Sequence, residues 1–236
     1  MQQLKSIAVI PARGGSKRIP GKNTRDFLGK PIITYSIDAA IKSDLFDQIM
    51  VSTDDEGIAD IALKYGASVP FRRSAKNSDD FATTMDVLAE VISDYEVKLN
   101  TKFEFLCCLY PTAPLISDKR IREGFSLISG NDYFCVYPVV PFSYPIWRGL
   151  EITEEGKTAM IWPEYMRSRS QDLKKVYHDA GQWYWYRADK IINSEFIKNI
   201  HTIVLEDYEV QDIDNLIDWK LAEMKFKLIN EEKNIL

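Results

Sequence analysis

Short apolar runs and stripes at helical period alternate along the chain almost from its start. Ile7 to Ile10 is a continuous apolar run, the pattern of a strand buried on both faces. Pro31 to Ile41 follows with Ile33, Ile37 and Ile41 at i, i+4 and i+8, which predicts a helix with proline near its first turn. Gln48 to Thr53 predicts a second strand, and Thr53-Asp54-Asp55 a polar tip and cap for a helix through Tyr65 that ends at Gly66. Ser78-Asp79-Asp80 leads into a helix near Thr84 to Lys98 whose core stripe is Val87, Leu88, Val91 and Ile92. Phe103 to Leu109 is again continuously apolar and ends in the loop Tyr110-Pro111-Thr112-Ala113-Pro114. A helix at about Asp118 to Ser129 and a strand from Tyr133 to Val140 complete the first two thirds.

The pattern then changes. From Pro141 to Lys175 the chain is rich in proline, tryptophan and charge, with neither a helical nor a strictly alternating period, as expected of an inserted segment with a function of its own. Regular structure resumes with a strand at Gly181 to Tyr186, a helix, a strand at His201 to Leu205 and a terminal helix from about Asn215. The alternation predicts a single α/β domain over residues 1–236. It has three layers, α/β/α, around a mostly parallel sheet, and the loops at the strands' C-terminal ends gather into one site.

The loop after the first strand carries the most chemistry. Ala12-Arg13-Gly14-Gly15-Ser16-Lys17-Arg18-Ile19-Pro20-Gly21-Lys22-Asn23 combines glycines, which let backbone approach an anion, with four cations and an amide to neutralise and bind it. It predicts a polyphosphate cradle of no common type. Gly15 and Gly21-Lys22 are separated by five residues where a Walker A loop has four, and Asn23 replaces the hydroxyl that would hold magnesium. Gly14-Gly15 also fails the dinucleotide fingerprint. With a net charge of -5 over 236 residues, this basic cluster is local, which argues for a small anionic ligand and against general nucleic-acid binding. Cys107, Cys108 and Cys135 sit in apolar runs without disulfide or metal spacing and read as core residues of a reducing cytoplasm; no run is long enough to span a membrane.

Three further constellations are candidates. In Gln211-Asp212-Ile213-Asp214 two carboxylates at i and i+2 share one side of an extended chain, which suits a hard cation such as magnesium; the alternative makes Asp214 the cap of the terminal helix. Tyr177-His178-Asp179-Ala180-Gly181-Gln182 places one of two histidines in a polar loop, whereas His201, opening an apolar strand, reads as structural. In the run that follows, the tryptophans and tyrosines read as the core and surface faces of one strand. Arg72-Arg73 and the backbone amides ahead of the Thr84 helix offer groups for a base edge or a phosphate, or else a solvated turn and a cap. Arg167, Arg169, Lys174 and Lys175 face the same choice between an acidic ligand and solvent.

In order and spacing, these motifs resemble the CMP-sugar-acid synthetases, the cytidylyltransferases that activate nonulosonic acids. The resemblance covers nearly the whole chain: Pro11 to Pro20 with Lys22-Asn23, Val51 to Asp55, Ser78 to Asp80, Tyr110 to Pro114, Arg169 to Leu173, Tyr177 to Gln182 and Gln211 to Asp214. It implies a Rossmann-like nucleotidyltransferase domain that turns CTP and a nine-carbon keto sugar acid into the CMP-sugar and pyrophosphate, with Mg2+. Ala12, Arg13, Gly14, Gly15, Ser16, Lys17, Lys22 and Asn23 would then hold the triphosphate and ribose, with Arg13, Lys22 and Asp212 catalytic. Arg72 with Ala82, Thr83 and Thr84 would read cytosine. Asp212 and Asp214 match the metal carboxylates, and Tyr110, Arg169, Gln171, His178 and Gln182 would meet the sugar.

Sialic acid synthetases carry Gln at the position of Tyr110, Arg at that of Ile116 and often Arg at that of His178, so these departures resemble the pseudaminic-acid members instead. The segment 141–175 resembles the family's dimerisation arm and implies a cytoplasmic homodimer in which Arg169 or its neighbours serve the other subunit. A sialic, legionaminic or KDO cytidylyltransferase, or a CTP-binding regulator without turnover, are the rival readings.

Overall fold

The computed structural model describes residues 5–16, 18–191 and 199–233; side chains are described as far as residue 231. Lys17 and part of the helix expected after Tyr186 lie outside these residues. In chain order the elements are β1 (Ser6–Pro11), β2 (Asp26–Phe27), β3 (Lys30–Pro31), α1 (Ile33–Ser43), β4 (Gln48–Ser52), α2 (Glu56–Lys64), α3 (Thr84–Leu99), β5 (Phe105–Leu109) and α4 (Asp118–Gly130). They continue with β6 (Cys135–Pro141), β7 (Leu150–Ile152), β8 (Thr158–Met160), β9 (Tyr177–Asp179), β10 (Trp183–Arg187), α5 (Ala188–Ile191), β11 (Ile200–Val204) and α6 (Leu216–Lys233).

Seven strands form the main sheet in the order β11-β6-β10-β5-β1-β4, with β9 paired to the far end of β6. β4, β1, β5, β6 and β11 share one direction; β9 and β10 run against it. The alternation along β1 explains why its apolar run is unbroken. Ala8 and Ile10 pack into a core beneath α1, α2 and α4, while Ile7 and Val9 pack into one beneath α3 and α5. The three-layer α/β/α arrangement with a mixed, mostly parallel sheet follows. The aromatic strand β10 obeys the same rule. Trp183 and Trp185 are fully buried on the α4 side, and Tyr184 and Tyr186 face the other layer half-buried rather than solvent.

A third core lies beyond one end of the sheet. Ile19, Phe27, Ile32, Tyr35, Ile213, Trp219 and Ala222 bury one another between the first loop, the β2–β3 hairpin and α6. Phe27 meets Tyr35, Trp219 and Phe226 edge-on at 5.2–5.8 Å between ring centres, a geometry that suits their quadrupoles.

Three elements differ from the sequence reading. Lys30–Pro31 pairs with Asp26–Phe27 as a hairpin, so α1 begins only at Ile33, and Ile41 is 45% exposed because the apolar stripe outlasts the contact with the sheet. Tyr177–Asp179 forms a strand along β6 before the bulge at Gly181, too short for periodicity to reveal. Within the insertion, β7 and β8 form a hairpin whose turn uses Gly156 at φ +75°, a left-handed conformation that glycine adopts without strain. Among the described residues no helix is long and apolar enough to cross a membrane. Cys107, Cys108 and Cys135 are buried and unpaired, and His201 stacks on Tyr133 as a structural residue.

The α4–β10 contact leaves no room at Gly124. A Cβ there would lie 2.6 Å from Trp183 Cζ3 and 2.7 Å from Trp185 Cδ1, and Trp185 is held by its indole N–H on the Ile121 carbonyl. Gly124→Ala is expected to destabilise the protein by about 1–2 kcal/mol despite alanine's better helix propensity, because overpacking exceeds that gain. Chemical denaturation checks this; unchanged or raised stability refutes it.

Candidate active site

All the loops singled out from the sequence leave one rim of the sheet. β1, β4, β5 and β11 end there, at Pro11, Ser52, Leu109 and Val204, and the antiparallel β10 begins there. Between the loops lies a cleft of about 580 Å³, lined by Arg13, Ser16, Arg18, Lys22 and Asn23 on one side. Arg73, Asn77, Asp79, Asp80 and Ala82 to Thr84 line the opposite side, and Tyr110 to Thr112 the floor. That size suits a nucleotide.

The first loop holds its shape through its own polar groups. Gly14 donates its N–H to Asp54 Oδ1 at 3.1 Å, and a Cβ on it would come within 2.8 Å of Asp55 Oδ2, so glycine is required by close packing against the acidic tip of β4. Ser16 donates its N–H to the Gly14 carbonyl, and Asn23, largely buried, donates its side-chain amide to the Arg13 carbonyl at 2.9 Å. Gly21 takes φ +62° to turn the chain into Lys22. The glycines therefore shape the loop, and cations rather than these amides face the cleft. Ala12 is buried with its N–H on the Ser52 carbonyl, Gly15 is exposed, and neither lines the cleft.

The cations are engaged with acidic partners. Arg13 donates from Nη1 to Asp80 Oδ1 and to the Asp79 carbonyl, both at 2.9 Å. Arg18 pairs with Asp214 at 2.5 Å. The Lys22 ammonium donates to the Ile213 carbonyl. Burial lowers the Lys22 pKa, while the charges of Asp212 and Asp214 act in the opposite direction. The basic loop and the acidic segment thus meet directly.

Asp212 and Asp214 flank the fully buried Ile213, so their side chains leave the same side of the chain. The capping alternative fails on geometry. Asn215 Oδ1 accepts the N–H groups of Ile217 and Asp218, and Asp218 Oδ2 accepts those of Asp214 and Asn215, so the terminal helix is capped without the Asp214 carboxylate. Among the described residues no cluster of three or more His, Cys, Asp or Glu side chains surrounds a common point. Two carboxylates alone suit a cation that completes its shell with water and substrate oxygens, as magnesium does.

On the opposite wall the cleft is lined by Arg73 and not by the expected Arg72. Arg72 is exposed and turns away to Glu56 and the Asp55 carbonyl. Arg73 lines the cleft, anchored on Ser52 Oγ and the Ser52 carbonyl. Alternation held the signal: Phe71 packs against Tyr95, and residue 73 shares its side of an extended chain. Burial lowers the Arg73 pKa, opposed by Asp54 and Glu90. Asn77, which residue order does not single out, also lines the cleft; Glu90 fixes it by accepting from Ser74 and Asn77. The amides of Ala82 and Thr83 are already bonded to Asp79 and Asp86, so they are not free donors as the sequence suggested.

The expected sugar contacts divide. Tyr110 lies on the cleft floor with its ring 5.2 Å from that of Tyr184, and burial raises its pKa. Gln182 is only 3% exposed and donates its amide to the Glu209 carbonyl at 2.6 Å, so it faces protein. His178 packs its ring against Phe142 and holds Nδ1 2.9 Å from the Asp179 carbonyl oxygen. Gln171 lines a separate cleft of about 540 Å³ under the insertion, with Lys174, Tyr177 and Glu206, and Arg169 is exposed beside it on the arm. No residue lines both clefts.

Comparison with known proteins gives the chain's family and fold. Residues 7–212 match the family described as Cytidylyltransferase. Two proteins named pseudaminic acid cytidylyltransferase, from strains of Campylobacter jejuni, are each 40% identical over 97% of this chain and 99% of their own. CMP-N,N'-diacetyllegionaminic acid synthase of Legionella pneumophila is 34% identical over 97% of this chain and 99% of its own. A solved CMP:2-keto-3-deoxy-manno-octonic acid synthetase complexed with CTP superposes with a TM-score of 0.70 over 96% of this chain and 99% of that one. At 19% identity that likeness speaks for the fold.

An anion entering the cleft must draw Arg13 off Asp80, and an exposed pair of this kind is worth about 0.2–1 kcal/mol. Inorganic tripolyphosphate is therefore expected to bind Asp80→Asn about two- to fivefold more tightly than the parent protein in calorimetric titration. Weaker binding to the variant contradicts the competition.

Proposed function

The chain belongs to the cytidylyltransferase family, and from that membership we propose that it joins the cytidylyl group of CTP to a nonulosonic acid, pseudaminic acid first among them, and releases pyrophosphate. The observation that carries the reading is the meeting of the Arg13–Asn23 loop with Asp212 and Asp214 at the edge of a nucleotide-sized cleft. The likeness to the two Campylobacter proteins, running over almost the full length of both chains, favours pseudaminic acid as the acceptor.

Arg13, Ser16 and Lys22 are the groups available to the triphosphate, and Asn23 keeps their loop in shape. Lys17 belongs to the same loop outside the described residues. Arg73 and Asn77, with the Ala82 to Thr84 turn, take the place assigned to Arg72 as the wall facing the base. In the reaction the anomeric hydroxyl of the sugar acid attacks the α-phosphorus in line. The new O–P bond forms as the bond to the pyrophosphate oxygen breaks, and the hydroxyl proton leaves to solvent. Lys22 and Arg13 stabilise the charge that accumulates on departing pyrophosphate, once Arg13 has exchanged Asp80 for the phosphates. Asp212 and Asp214, an all-oxygen pair facing the same side, fit a divalent cation, taken as Mg2+. When bound, it would neutralise charge on the reacting phosphate oxygens.

On the acceptor side, Tyr110 lies on the floor of the proposed nucleotide cleft, whereas Arg169 and Gln171 sit on the insertion. The insertion carries exposed apolar side chains at Tyr144, Leu150, Ile152 and Met166. This supports a homodimer in which the 141–175 arm of each single-domain subunit reaches its partner's acceptor pocket.

A pyrophosphate-release assay with CTP, magnesium and a panel of nonulosonic acids tests the reaction, with product identification to distinguish pseudaminic from legionaminic, sialic and KDO acceptors. Asp212→Ala is expected to lower turnover about 10³-fold, and Lys22→Ala about 10- to 100-fold, the range for losing a charge stabiliser at the reacting phosphate. Absence of release with every acid rejects the enzyme reading in favour of a CTP-binding regulator. Near-normal turnover by Asp212→Ala removes the metal assignment. For the dimer, light scattering is expected to give twice the chain mass, and Ile152→Asp to shift it towards the monomer; a fully active monomer excludes a shared site.

A further inference from the structure

Residues 206–210, just ahead of the two carboxylates, are held from three elements that take no part in the cleft wall. Arg120 on α4 forms a two-pronged pair with Glu209, Nε to Oε1 at 3.0 Å and Nη2 to Oε2 at 2.8 Å. Gln182, at the start of β10, donates its side-chain amide to the Glu209 carbonyl at 2.6 Å. Lys225 on α6 donates to the carbonyls of Asp207 and Val210, both at 2.7 Å. Glu209 also accepts the Glu206 N–H, closing the turn on itself. None of Arg120, Glu209 and Gln182 lines the cleft, and Asp212 follows Val210 by two residues.

Gln182 works in two directions. Its side chain holds the acidic segment, while its main-chain carbonyl accepts the Tyr110 N–H at 2.8 Å, and Tyr110 is part of the cleft floor. One residue therefore sets the carboxylate segment in register with the nucleotide cleft. The Arg120–Glu209 pair is mostly shielded, with side-chain exposures of 24% and 19%. Charges this desolvated contribute little net stability, because stripping their water offsets most of the attraction. What a planar bidentate fork supplies is position.

We infer that Arg120, Glu209 and Gln182 are positioning residues that fix the Asp212–Asp214 segment so that its carboxylates hold the divalent cation against the nucleotide phosphates. The inference rests on the metal reading of those two carboxylates given above. It assigns to Gln182 a role in metal placement instead of sugar contact, and to Arg120 and Glu209 a role where the sequence motifs gave them none.

The test is Mn2+ binding by the full-length protein in the presence of α,β-methylene-CTP, followed by electron paramagnetic resonance of the free ion. Binding of the same analogue without metal, in EDTA, and thermal melting are measured in parallel. Arg120→Met and Glu209→Gln are expected to weaken Mn2+ binding about tenfold, the scale of lost outer-shell support, while metal-free analogue binding stays within about twofold. Arg120→Lys, which keeps the charge but not the fork, is expected to fall between. Should Arg120→Met fail to fold, Glu209→Gln, of nearly equal shape, decides alone. Mn2+ affinity within twofold of the parent protein overturns the proposal, as does an equal loss of metal-free analogue binding, which marks a general structural role. Asp212→Asn serves as the reference: if it leaves Mn2+ affinity unchanged, the metal reading itself has failed, a result distinct from failure of the positioning role.

Discussion

Ile19 and Ile213 are buried in the same small core, and this contact determines what the rest of the site is able to do. Each sits in the middle of a charged loop, one basic and one acidic. With both apolar residues sealed beneath Phe27, Tyr35 and Trp219, the charged neighbours are left pointing at each other across the cleft edge. The Lys22 ammonium on the Ile213 carbonyl, spanning 191 residues of sequence, fastens the same junction. Opposite charges brought this close without a ligand pair with one another, as Arg18 does with Asp214. A ligand that binds there has to supply charge of both kinds, and a metal-complexed polyphosphate does so.

The sheet explains why these loops are neighbours at all. Parallel strands deliver their C-terminal ends to one rim, so the basic loop after β1, the acidic tip after β4, the Tyr110 loop after β5 and the segment after β11 converge without long excursions. β10 is the exception that serves the rule: running antiparallel, it brings its beginning to that rim, and with it Gln182. The nucleotide half of the site is thus a property of the sheet. The proposed acceptor half rests on the insertion, which folds outside the sheet and lines a cleft of its own.

Much of this was legible from residue order. Continuous apolar runs marked β1 and β5 because both of their faces are covered, and the basic loop declared an anion site through its composition. The less visible features were those in which one group is bonded to another far along the chain. Residue order left Asp214 open to a second reading as a helix cap, a role that Asn215 and Asp218 share instead. Arg72 and Arg73 are chemically identical, and only the alternation set by the half-buried neighbour Phe71 separates them. Gln182 sat in a motif that resembles a sugar contact, yet its amide is spent on the backbone of a segment 27 residues away. Short strands such as β7, β8 and β9 carry too few residues for a period to register.

In the proposed function the basic and acidic loops are two halves of one binding site for a metal-complexed nucleotide. A crystal structure of the protein with Mn2+ and α,β-methylene-CTP tests it most directly, with anomalous scattering to locate the ion. Mn2+ is expected to be bonded to both Asp212 and Asp214 and to phosphate oxygens, with Arg13 and Lys22 on the phosphates and Arg18 drawn away from Asp214. An ion seated elsewhere, or a nucleotide bound without contact to the Arg13–Asn23 loop, would contradict it.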